Sequence, residues 1–205
     1  MVNNGFCRRE ETAIKGHRKI AGRMGLMIFL LMVVGCGGKT EYMVKATPIE
    51  GPSPDKTFVY FMRPSSTGPA DNFQIWDGDY FVGFSQVKSY LVYECAPGTH
   101  LFLGIAKNKV ALKADLDAGK SYYVATKIRP GWSKSLMQFT PITRGSELWG
   151  RVEEYKKSLN CVAAREPERT EWKAAQREKA LDVIHFFTYG VGKANVSKLD
   201  KEDGR

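Results

Sequence analysis

The spacing of apolar and polar positions divides the chain into three textures. Residues 24–36 (MGLMIFLLMVVGC) form one unbroken apolar run. From Lys56 to Ile142, short runs rich in β-branched and aromatic residues are separated by turn residues about every ten positions. After Thr143 the apolar period lengthens to about 3.6, as on one face of a helix.

The middle texture predicts strands. Thr57–Arg63 (TFVYFMR) is apolar on both faces and is stopped by Pro64, which predicts a strand buried on both sides. Asn72–Asp77 and Asp79–Phe84 flank Asp77-Gly78, a pair that predicts a hairpin with a type I′ turn. Further runs at Lys88–Glu94, Thr99–Ala106, Lys109–Leu116, Lys120–Ile128 and Ser133–Ile142 bring the number to seven or eight. Runs of this length and spacing predict a mainly β fold, an antiparallel β-sandwich of about seven to eight strands.

Two C-terminal α-helices are expected after it. Leu148, Val152, Tyr155 and Leu159 share one face of a helix over 146–159. Ala180, Val183, Ile184 and Phe187 form the apolar stripe of a second helix over 167–187. The segment 190–205 is rich in Gly, Lys and Asp and reads as a flexible tail.

The first apolar run is about a dozen residues, against the roughly 20 that a membrane-spanning helix needs. It follows Arg8, Arg9, Lys15, Arg18, Lys19 and Arg23, and it closes on Val33-Val34-Gly35-Cys36. A basic leader, an apolar core and a small residue before cysteine read as a lipoprotein export signal over 1–35. Cleavage then falls between Gly35 and Cys36, and Cys36 becomes the acylated residue that ties the protein to a membrane. Residues 36–55, with Pro48, Gly51, Pro52 and Pro54, read as a tether. Domain boundaries follow at 56–142 for the β region and 143–189 for a helical appendage.

Charge and cysteines refine this. Removing residues 1–35 takes away six Lys/Arg and two Asp/Glu and lowers the formal charge from +9 to +5. What remains is dispersed, so nucleic acid is not an expected partner. Cys95 and Cys161 are the thiols left after export and acylation, in a compartment that favours oxidation. They read either as a disulfide that clamps the helices to the β region or as two buried free thiols.

Catalytic signatures are missing from the sequence. His100 and His185 are the histidines left, no G-x-S-x-G stands nearby, and no H-x-x-H or C-x-x-C spacing points to zinc. Asp77 and Asp79 are explained by the hairpin rather than by a calcium loop. No catalytic residue, metal or cofactor is expected. Among the four tryptophans, Trp132 follows Pro130-Gly131 at an expected turn and is the candidate for a ligand surface.

Four turn motifs carry a resemblance. They are Val59-Tyr60-Phe61-Met62-Arg63-Pro64-Ser65, the hairpin Ile75 to Gly83, the turn Tyr93 to His100 and Ala118-Gly119-Lys120-Ser121-Tyr122-Tyr123-Val124. In this order and spacing the β region resembles the domain-of-unknown-function 2846 family of small bacterial lipoproteins, with a PEGA-like β-sandwich. The resemblance implies the fold and the anchoring, and it implies no activity. The expected role is a non-enzymatic interaction or structural module of the periplasm, held by acylated Cys36 on the outer membrane. An envelope protein would dock on the C-terminal helices. The alternative is a small-ligand or cell-wall binding module using the loops near Trp132.

Overall fold

The computed structural model describes residues 42–66, 73–130 and 135–205, which belong to one unit, Gly37–Arg205. Eleven strands lie in two mixed sheets. They are β1 (Met43–Lys45), β2 (Thr57–Arg63), β3 (Phe73–Asp77), β4 (Tyr80–Ser85), β5 (Ser89–Cys95), β6 (Gly98–Ile105), β7 (Lys109–Leu116), β8 (Ser121–Pro130), β9 (Ser135–Pro141), β10 (Asn160–Ala164) and β11 (Val196–Leu199). Helix α1 spans Val152–Ser158 and α2 spans Glu168–Thr188.

The six-stranded sheet runs β1-β10-β5-β2-β8-β9 and the five-stranded sheet runs β11-β7-β6-β3-β4. The β10/β5, β2/β8 and β11/β7 ladders are parallel. The expectation of seven or eight antiparallel strands is therefore corrected to eleven strands of mixed direction. The additional strands come from segments read as tether, helix end and tail. A short strand can join an existing edge through backbone hydrogen bonds without an alternating pattern of its own.

β2 sits at the centre of its sheet, and all seven of its residues are buried. Val59 and Phe61 point into a core shared with the second sheet, where Phe61 meets Phe102 and Phe139. Phe58, Tyr60 and Met62 point the other way, into a second core with Tyr90, Tyr123, Val152 and Tyr155. Helix α1 caps that face. Its predicted stripe is present, but the helix is shorter than expected, opening with a 3-10 turn at Trp149–Arg151.

The five-stranded sheet is covered on its far face by α2. Trp172 of α2 packs on Phe81 and Phe84, and Ala180, Val183 and Phe187 are buried beneath the helix. Asn108 ties the two sheets by accepting from the Met137 N–H and donating to the Met137 carbonyl, both at 2.8 Å. Gly104 lets the layers approach closely: a Cβ there would come within 2.6 Å of its cross-strand neighbour Val110 and 2.9 Å of Met137 Sδ on the other sheet.

The β3–β4 hairpin forms where Asp-Gly predicts it. Its two central residues are Gly78 and Asp79, and of these only Gly78 has positive φ, at 53°. That matches the glycine-first pattern of a type II′ turn rather than the expected I′.

Met43–Lys45, expected within a tether, is an edge strand paired with β10. The expected flexible tail is also corrected. Val196–Leu199 pairs with β7, and Arg205 exchanges backbone hydrogen bonds with Ser121 at 2.9 and 3.0 Å. Its guanidinium lies 4.0 Å from the Trp149 ring centroid and donates to the Trp149 carbonyl at 2.8 Å. Lys-rich composition hid these anchors, which are backbone bonds and a cation over an aromatic face.

Candidate functional site

Gly35, Cys36 and Trp132, the expected cleavage, lipidation and ligand residues, lie outside the described residues. Cys95 and Cys161 are both described, and both are buried and free. The disulfide reading is corrected by register. Cys161 pairs with Tyr90, five residues along β5 from Cys95. At about 3.3 Å per residue this separates the two by about 17 Å, against the 4.4–6.8 Å between Cα atoms that a bridge needs. An odd separation also places them on opposite faces, with Cys95 in the shared core and Cys161 in the core under α1.

Two arrangements concentrate polar chemistry, and both begin on β6. The first is built around His100, whose side chain turns towards the space between the sheets and stacks on Phe102. Its Nδ1 lies 2.7 Å from Asp77 Oδ2, and its Nε2 lies 2.9 Å from the Ala96 carbonyl. The Tyr93 hydroxyl donates to the same Asp77 oxygen at 3.0 Å. The hydrogen bond to Asp77, then one with Cys95, raises the His100 pKa to about 10 against the opposing cost of burial. Burial and the Asp77 carboxylate push the Tyr93 phenol up as well.

At neutral pH His100 is therefore an imidazolium with both N–H groups donating. It joins the β3–β4 hairpin to the turn before β6. The sequence placed His100 beside a turn, but the distant Asp77 and Tyr93 could not be paired with it from spacing.

The second arrangement is a cleft of about 610 Å³ on the far face of the five-stranded sheet, beside the end of α2. Leu101, Phe187 and Val196 give it apolar walls, and Lys113, Lys193 and Lys198 supply charge. Register explains the grouping. Leu101 pairs with Lys113 across β6 and β7, and Lys113 pairs with Lys198 across β7 and β11. Directly paired residues share a face, so the two lysines project side by side from strands about 4.8 Å apart. None of the three lysines joins an ion pair among the described residues. The nearest carboxylate along β7, Asp115, accepts from the Thr99 hydroxyl at 2.6 Å. Thr188 and Tyr189 add hydroxyls, and Tyr189 is 77% exposed.

The other tryptophans serve packing. Trp76 is fully buried and donates to Gln74, Trp172 sits among Tyr42, Phe81 and Phe84, and Trp149 lies under Arg205. Among the described residues no group of three or more His, Cys, Asp or Glu is placed to hold a metal ion. Nor is any helix among them long and apolar enough to cross a membrane.

Fold and site thus define a mainly β protein of two mixed sheets and two helices, with a lysine-lined cleft at one sheet edge. No family model matches this chain, and no curated protein and no solved structure matches it.

Proposed function

We propose that this chain is a lipid-anchored, non-enzymatic binding protein of the bacterial envelope, built as a β-sandwich and holding a small anionic ligand in the cleft beside α2. Acylated Cys36 holds it on the outer membrane, facing the periplasm. The Val33-to-Cys36 ending, the basic leader and the four motifs that resemble the domain-of-unknown-function 2846 family support the anchoring.

The observation that carries the ligand reading is the convergence on an apolar-walled cleft of three lysines that have no ion-pair partner among the described residues. Ligand sites combine mostly apolar walls with a few convergent polar groups. The rival reading, an envelope protein docked on the helices, has less support. Both helices spend their apolar stripes internally: Val152 and Tyr155 of α1, and Ala180, Val183 and Phe187 of α2, are buried. The ligand surface proposed here is the cleft, while Trp132 lies outside the described residues.

Native mass spectrometry of protein released from membranes tests this reading. The parent is expected to carry a small-molecule adduct, and the K113E/K193E/K198E variant is expected to be bare. A bare parent contradicts it. In the same cells Cys36→Ala is expected to move the protein from the membrane to the soluble fraction.

A further inference from the structure

The cleft's charge pattern narrows the class of ligand, and this step rests on the reading of the cleft as a binding site. Lys113 and Lys198 are register partners on neighbouring parallel strands. Two like charges directly opposite one another destabilise a ladder unless something of opposite sign lies between them. Lys193 reaches the same cleft from the turn that follows α2. Lys113, Lys193 and Lys198 are the cleft's lysines and no arginine lines it; His100 also borders it, but both its ring nitrogens are engaged, by Asp77 and the Ala96 carbonyl. Arginine's planar fork suits bidentate recognition of a carboxylate, whereas lysine acts as a compact point charge. Two or three such charges around one point match a group carrying close to two negative charges better than one carrying a single charge. A phosphomonoester has about −1.5 to −2 at neutral pH and three acceptor oxygens.

Beside the lysines the cleft has apolar walls, with the hydroxyls of Thr99, Thr188 and Tyr189 at their margins. Leu101 and Val196 are half-buried and Phe187 is buried, while Tyr189 beside them is 77% exposed. A free phosphate ion would leave these walls wet. A ligand with an apolar body attached to the phosphate would cover them.

We propose that the cleft binds an amphiphile bearing a phosphomonoester, with the phosphate bridging Lys113 and Lys198 and within reach of Lys193, and the apolar body along Leu101, Val196 and Phe187. Because the phosphate spans β7 and β11, binding also fastens the C-terminal strand to its sheet.

The test is titration of the whole protein by NMR and calorimetry with three probes: dihexanoyl phosphatidic acid below its micellar concentration, dihexanoyl phosphatidylcholine and inorganic phosphate. Phosphatidic acid is expected to bind at least tenfold more tightly than either of the others, to shift the Leu101 and Val196 methyl signals, and to slow amide exchange in Val196–Leu199. Lys198→Glu gives Lys113 an ionic partner across the ladder and is expected to keep the fold while losing at least tenfold in affinity. Equal binding of phosphatidylcholine overturns the phosphomonoester assignment. Equal binding of inorganic phosphate overturns the apolar body and points to a free phosphate source. No binding of any probe overturns the proposal. If the native adduct is present in that last case, the cleft remains a ligand site for another chemistry and only the phosphate inference fails.

Discussion

Strand β6 carries two basic neighbourhoods that face opposite ways and treat charge differently. His100 points between the sheets, where both ring nitrogens are engaged, one by Asp77 and the other by the Ala96 carbonyl. One residue along, Leu101 opens the far face onto three lysines without ionic partners among the described residues. A buried charge left without partners is costly, so the His100 side is fully matched. The exposed lysines bear no such cost, and their charge remains available to something outside the protein. The comparison teaches that charge number alone does not mark a site; what marks it is charge the fold leaves unmatched.

The largest expected effect comes from breaking the matched side. Asp77→Ala leaves the imidazolium and the Tyr93 hydroxyl without their acceptor and is expected to cost about 3 kcal/mol in denaturant unfolding. A loss below about 0.5 kcal/mol would show that the cluster does not hold the hairpin.

A related effect on the same cluster follows from pH. Because the folded His100 pKa is raised to about 10 from an unfolded value near 6.5, the cluster's contribution is fully present below about pH 6.5. It is lost as pH rises from there towards about 10. The stability gap between parent and His100→Gln is therefore expected to be wide at pH 6 and to close by pH 10. A gap constant over that range would mean that the ring is neutral in the fold.

The unmatched side is expected to respond least. K113Q/K198Q is expected to change stability by no more than about 0.5 kcal/mol, since exposed lysines without partners contribute little and repel one another. A larger destabilisation would mean that the lysines serve the fold. Smallest of all is the effect of reductant. With Cys95 and Cys161 on opposite faces, melting is expected to be the same with and without it, and both thiols are expected to alkylate in unfolded, unreduced protein.

How much of this was legible in the sequence follows the same division. β2 was readable because Phe58 to Met62 are apolar on both faces, and a strand between two cores requires that. The face of α2 was readable because Ala180, Val183 and Phe187 recur at helical spacing. β10 and β11 were not readable. Asn160–Ala164 and Val196–Leu199 are too short to show a period, and their order comes from ladders with β5 and β7. Parallel pairing brings no turn signal, because its partners are far apart in the chain.

The two neighbourhoods of β6 fared differently as well. Lys113 alternates with apolar residues in KVALKADL, which marks it as outward-facing. Its company is invisible: Lys198 comes from a segment read as tail, and only the β7–β11 register joins them. Likewise the hairpin accounted for Asp77 completely, and its second role on His100 appears only when β6 is laid beside β3.

The most direct test sets both sides of β6 in one experiment: thermal unfolding of the parent, K113Q/K198Q and His100→Gln with and without dihexanoyl phosphatidic acid. The account predicts that ligand raises the melting temperature of the parent and of His100→Gln, which starts lower, and leaves that of K113Q/K198Q unchanged. A ligand-induced rise in K113Q/K198Q equal to that of the parent would contradict it.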